Sequence, residues 1–122
     1  MPPTVIVIDD DLSMLRSLKR LLVASGFQVE TFDRPSTLLA SSLPHSNACM
    51  IVDINLPEMS GIELCETLKI SARSLPTILI TARTDRQVRS LAASSDAVAL
   101  LFKPFDNGPL LDAIARALAL HM

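Results

Sequence analysis

Short apolar runs that end on polar residues alternate along this chain with stretches whose apolar positions recur every three or four residues. Thr4-Val5-Ile6-Val7-Ile8 is the first run, and it stops on Asp9-Asp10-Asp11. Leu12, Leu15, Leu18 and Leu22, with Leu21 alongside, then mark one helical face, opposite Arg16, Lys19 and Arg20. Asp11 is placed to cap that helix, where its charge suits the amino end, and Ser25-Gly26 stops it. Phe27 to Phe32 alternates with period two, the pattern of a half-exposed edge strand. A short helix follows Arg34-Pro35-Ser36 and carries Leu38, Leu39 and Leu43. Pro44 to Asn47 is a loop.

Ala48-Cys49-Met50-Ile51-Val52 is an unbroken apolar run that ends on Asp53, as expected of a strand buried on both faces. Asn55, Pro57 and Gly61 turn the chain away, and Ser60-Gly61-Ile62-Glu63 has the spacing of a capping box. The third helix directs Leu64, Cys65 and Leu68 inward. Pro76 to Ile80 is the fourth strand and ends on Thr81-Ala82. A short helix from about Asp85 to Ala93 has Val88, Leu91 and Ala92 apolar and Arg86 and Arg89 outside. Ala97 to Phe102 is the fifth strand and ends on Lys103-Pro104-Phe105. Asp106-Asn107 caps a last helix with Leu111, Ile114 and Leu118 as its inner face and Leu110 and Ala117 flanking.

Five strand–helix alternations predict an α/β fold, a single doubly wound parallel sheet with helices on both faces. The pattern leaves the strand order open. At 122 residues the chain is one domain, residues 1–122, large enough to bury a core without staples. Its only aromatics are four Phe, so the core is aliphatic. A net charge of −2 and no Lys/Arg block argue against binding nucleic acid or a membrane surface. No apolar run approaches a membrane span and no secretory signal is visible, so a cytoplasmic location is expected. Cys49 and Cys65 read as reduced core residues, and His45 and His121 lie too far apart to suggest a metal pair. Three glycines and no hydroxyl- and glycine-rich loop after the first strand argue against a flavodoxin-type cofactor binder.

Four strands end on polar groups: Asp9 and Asp10, Asp53, Thr81, and Lys103. Alone, each has an ordinary explanation as a cap, a strand end or a surface lysine. In a parallel sheet, however, these ends lie along one edge, where open α/β sheets place their ligand crevice. Carboxylates gathered there repel one another unless a cation intervenes. Mg²⁺ suits oxygen donors and shares them with phosphates. Three carboxylates and one lysine sum to −2, which one divalent cation neutralises. Lys103 and Thr81 are superfluous to metal storage but suit a phosphoryl group, whose oxygens need positive charge and donors. Asp53, alone on the central strand, is the candidate acceptor.

These residues carry a resemblance. Val7-Ile8-Asp9-Asp10-Asp11, Val52-Asp53-Ile54-Asn55-Leu56-Pro57 with Met59-Ser60-Gly61, Ile80-Thr81-Ala82 and Lys103-Pro104-Phe105 resemble, in order and spacing, receiver domains of bacterial two-component response regulators, from about Val5 to Leu120. The resemblance implies a flavodoxin-like five-stranded sheet of order 2-1-3-4-5. It implies that Asp53 accepts a phosphoryl group from the phosphohistidine of a sensor histidine kinase. Mg²⁺ would be bound directly by Asp10, Asp53 and the Asn55 carbonyl, with Asp9 acting partly through water. Thr81 and Lys103 would hold phosphoryl oxygens beside a Lys103–Pro104 bond that is cis. Such a protein is a signalling switch rather than an enzyme. It would bias the face made by the fourth helix, fifth strand and last helix, where a homodimer can form.

Met14, Ser17-Leu18, Ser25-Gly26-Phe27 and Phe32 resemble the FixJ-like transcriptional regulators, which carry a helix-turn-helix output domain. The 122 residues contain none, so the expectation is a receiver cut from a longer regulator, with a stand-alone receiver as the alternative. Two positions depart from the family. Leu100 stands where an aromatic is usual, three residues before Lys103, and Asp96 stands where Gly is frequent. Leu100 supports the competing reading of a constitutive interaction module that signals without phosphorylation.

Overall fold

The computed structural model describes residues 2–121. Five strands, β1 (Thr4–Ile8), β2 (Gln28–Phe32), β3 (Ala48–Asp53), β4 (Thr77–Thr81) and β5 (Ala99–Phe102), alternate with five helices. The helices are α1 (Leu12–Ala24), α2 (Pro35–Leu39), α3 (Gly61–Ile70), α4 (Arg86–Ala93) and α5 (Asn107–Leu120). All strand pairs are parallel and the order is β2-β1-β3-β4-β5. The flavodoxin-like order is thereby established. The sequence of strands reverses direction across the sheet between β1 and β3, the position of the crevice in such folds.

The β-branched runs alternate across the sheet because successive side chains in a strand point to opposite faces. Val5, Val7, Cys49, Ile51, Ile78 and Ile80 meet α1 and α5. Ile6, Ile8, Met50, Val52 and Leu79 meet α2, α3 and α4. Every residue of β3 is buried, as a central strand requires. The two cysteines are free and sit on opposite sides of the sheet, Cys49 buried against the first set and Cys65 half-buried against the second.

Local chemistry sets the helix ends. Asp11 Oδ1 accepts from the Ser13 and Met14 amides, Asp85 Oδ1 accepts from Val88, and Ser60 and Glu63 form the reciprocal capping box. Gly26, at φ +96°, takes the left-handed backbone that releases the chain from α1 into β2.

The inner face of α5 differs from the expected one. Leu110, Ala113, Ile114 and Ala117 are buried, whereas Leu111 and Leu118 lie half-buried at its flank. The two alanines let the helix backbone approach the sheet, so small residues line the contact and the larger leucines border it. Asp106 caps α5 with no side-chain hydrogen bond. Leu12 is exposed at the first position of α1, and Leu91 is exposed on α4. Leu43 lies beyond α2, and β5 begins at Ala99 and is half-buried throughout, being the second edge strand.

Candidate functional site

Asp9 directly follows β1, Asp53 and Thr81 are the last residues of β3 and β4, and Lys103 directly follows β5. The parallel arrangement therefore brings all four strand ends to one rim. Asp9, Asp10 and Asp53 each present a carboxylate oxygen, and the three oxygens lie within 4.8 Å of one another. Lys103 Nζ donates to Asp9 Oδ2 at 2.7 Å and to Asp53 Oδ2 at 3.0 Å. Asp9 and Thr81 are 0% exposed and Asp53 5%, whereas Asp10 faces solvent.

The remaining lone pairs of the buried acids are met by backbone. Asp9 Oδ1 accepts from the Asp11 amide at 2.9 Å, and the Asp9 amide donates to the Phe32 carbonyl at 3.1 Å. Asp53 Oδ1 accepts from the Asn55 amide at 2.9 Å. Thr81 Oγ1 accepts from the Arg83 amide at 3.0 Å and from Asn55 Nδ2 at 3.3 Å, so Asn55 ties the ends of β3 and β4 together. Gly61 has no room for a side chain: a Cβ there would run into the Asp53 carbonyl. Its amide donates to Ile54 O at 2.8 Å and closes the loop after β3 at its base. The Lys103–Pro104 bond is cis.

Burial dominates the electrostatics of Asp53. It pushes the carboxyl above its ordinary value, the charge of Asp9 adds to that, and the Asn55 amide and Lys103 pull the other way. For Lys103, burial works to lower the pKa, but the hydrogen bonds it donates to Asp9 and Asp53, with their negative charges, outweigh it and the ammonium is held above its ordinary value. An all-oxygen donor set of three carboxylates, one of them open to solvent, fits a hard divalent cation such as Mg²⁺.

A cavity of about 430 Å³ lies at the opposite edge, where β3, β4 and β5 begin, and is lined by Cys65, Lys69, Thr77, Asp96 and His121 among others. It shares no residue with the acidic rim. Among the described residues, no helix is long and apolar enough to cross a membrane.

Three contacts of this region have no signal in the residue pattern. The Arg83 amide reaches Thr81 through a turn of the backbone. Glu58, in the loop after Asp53, accepts from Ser36 on α2. At the far edge, His121 Nδ1 accepts from the Ala48 amide at 3.2 Å and steadies the start of β3. The first is a local turn two residues long, whereas the other two join segments that only the folded chain brings together.

A doubly wound sheet with acids, a hydroxyl and an ammonium gathered at its switch point defines a flavodoxin-like domain with an acidic cluster of the kind that can hold a metal ion. The chain belongs to the response regulator receiver domain family, whose model matches residues 5–115. It is 34% identical over 118 residues to the transcriptional regulatory protein TdiR of Thauera aromatica, across 97% of this chain and 52% of TdiR. It is 32% identical over 114 residues to the transcriptional regulatory protein FixJ of Rhizobium meliloti (strain 1021), across 93% of this chain and 56% of FixJ. Among solved structures, FixJ-N is similar with a TM-score of 0.89 at 30% identity, over 100% of this chain and 98% of that one. The response regulator StyR is similar with a TM-score of 0.87 at 43% identity, over 99% of this chain and 61% of that one. The chain spans about half the length of the curated relatives it matches.

Proposed function

We propose that this receiver domain takes a phosphoryl group from the phosphohistidine of a sensor histidine kinase onto Asp53. The observation that carries this reading is the Lys103 ammonium bridging Asp9 and Asp53 beside the solvent-open Asp10. Asp53 Oδ2 attacks phosphorus, the bond from phosphorus to the donor imidazole nitrogen breaks, and that nitrogen leaves with the bonding pair. Lys103 then follows the negative charge from the carboxylate to a phosphoryl oxygen. Thr81 contributes its hydroxyl proton, which its present contacts with Asn55 and Arg83 leave uncommitted because Oγ1 accepts in both. Asp10, Asp53 and the Asn55 carbonyl would hold Mg²⁺ directly and Asp9 partly through water; the bound ion supplies positive charge to the transferring oxygens.

Replacing a carboxylate by a dianionic phosphoryl group at Asp53 draws Thr81 and Lys103 toward it and shifts the population of the face formed by α4, β5 and α5. That face would serve a homodimer or a transcriptional output domain, in a cytoplasmic regulator whose chain runs beyond this one.

Incubation with acetyl phosphate and Mg²⁺, followed by intact-mass measurement, tests the acceptor. One phosphoryl adduct is expected on the wild type and none on Asp53→Asn; an adduct that persists in the variant refutes the assignment. A second reading, a constitutive interaction module, is favoured by Leu100, which is half-buried on the α4 side of β5 at the place of the usual aromatic. Equal self-association before and after phosphorylation would favour that reading.

A further inference from the structure

The loop from Ile54 to Ser60 joins Asp53 to α3 and carries Asn55. It is tied down at three points. At its start, the Asn55 amide donates to Asp53 and the Asn55 side chain donates to Thr81. At its base, the Gly61 amide donates to Ile54 O. At its tip, Glu58 Oε1 accepts from the Ser36 amide at 2.8 Å and Glu58 Oε2 accepts from Ser36 Oγ at 2.9 Å.

The tip contact stands out on two counts. Glu58 adopts φ +72°, a left-handed backbone that is uncommon for a residue other than glycine. The helix it meets lacks a cap of its own: α2 starts after Arg34, which makes no side-chain cap bond, so the glutamate fills a place usually taken by the residue before the helix. One carboxylate thus satisfies an orphan amide and a hydroxyl, with charge-assisted bonds of the stronger kind. The same contact joins both sides of the acidic rim. The β2–α2 connection that leads to Ser36 leaves β2 at Phe32, whose carbonyl accepts from the amide of Asp9.

We infer that Glu58 is a positioning residue of this site: its grip on Ser36 fixes the loop that presents Asn55 to the metal position. The inference rests on the reading of Asp10, Asp53 and Asn55 as the Mg²⁺ site. Its consequence is that metal affinity depends on a side chain that does not touch the metal, as for the outer partners that orient ligands elsewhere.

The test is an NMR titration of the full chain with Mg²⁺, alongside the Mg²⁺ dependence of acetyl phosphate labelling. Glu58→Gly removes both bonds while relieving the left-handed backbone, so folding is preserved. It should weaken Mg²⁺ binding about tenfold, the low end for ligand-orienting partners, with the labelling rate restored at saturating Mg²⁺. Glu58→Gln keeps an acceptor for the Ser36 amide and a partner for its hydroxyl, and should bind within about twofold of wild type. Ser36→Ala should weaken binding in the wild-type background and have no further effect in Glu58→Gly. Glu58→Gly with wild-type Mg²⁺ affinity would overturn the inference while leaving the metal site intact. A wild type that binds no Mg²⁺ would overturn the site reading and the inference with it.

Discussion

Two lysine–aspartate contacts of almost equal length stand at opposite ends of this sheet. Lys103 meets Asp9 at 2.7 Å on the carboxyl edge, and Lys69 meets Asp96 at 2.6 Å near the amino edge. Their surroundings differ. The side chains of the first pair are 16% and 0% exposed, and those of the second 67% and 82%. In water an ion pair gains little, because solvent screens it and two long side chains lose freedom. In the interior the same contact is the condition for two carboxylates to stay charged side by side, since an unpaired buried charge is costly. Distance alone therefore says nothing about role. The inner lysine holds two buried carboxylates together, and the outer one lies exposed in the last turn of α3.

The contrast is broken most sharply at Lys103. Lys103→Met should lower stability by about 3 kcal/mol in metal-free buffer, read by urea unfolding, because Asp9 and Asp53 are left facing each other. The same variant should slow acetyl phosphate labelling by roughly 10²–10³-fold, the range for loss of one charge-stabilising group. Lys69→Met should change neither. A labelling rate for Lys103→Met within threefold of wild type would remove the lysine from the site.

Thr81→Ala comes next. It deletes the acceptor of the Arg83 amide and of Asn55 Nδ2, and should cost about 1–2 kcal/mol. Labelling should slow about tenfold, since a neutral hydroxyl contributes less than an ammonium.

A subtler expectation concerns pH. Burial raises the Asp53 pKa above its ordinary 3.8, so the folded state holds that proton more tightly than the unfolded chain. The stability this gives is fully present below 3.8 and is lost as pH rises through the raised value. Asp53→Asn carries no such dependence. The melting temperature of the variant should therefore pull ahead of metal-free wild type as pH rises from acid to neutral. A constant gap across that window would show that burial does not penalise the Asp53 charge.

The smallest effect belongs to the outer pair. Asp96→Gly should move the melting temperature by no more than about 2 °C. A larger fall would mean that the Lys69 contact clamps the start of β5 despite its exposure.

Much of this molecule was legible in its residues. Four β-branched or aliphatic runs and one alternating segment, each followed by helical spacing, left little choice but a parallel sheet, and Asp11, Ser60 and Glu63 announced their caps. Asp9, Asp10, Asp53, Thr81 and Lys103 could be assigned to one rim because parallel strands must end together. The α5 face was misjudged because Leu110, Leu111, Ile114 and Leu118 form a stripe too wide to orient; the flanking Ala113 and Ala117, weak as hydrophobic signals, mark where the backbone comes close. Leu12 followed the helical period but is exposed at the first position of α1. Glu58 and His121 gave no sign, since their partners, Ser36 and Ala48, are 22 and 73 residues away.

The linear order of residues by itself determined the elements, their alternation and which polar groups share an edge, because periodicity and capping act over a few residues. Only the tertiary structure decided which acid is buried and which faces water, that a single ammonium spans Asp9 and Asp53, and that a glutamate caps a helix from another loop. Those outcomes depend on distances between segments far apart in the chain. They are set when the strands pair and the helices pack onto both faces of the sheet.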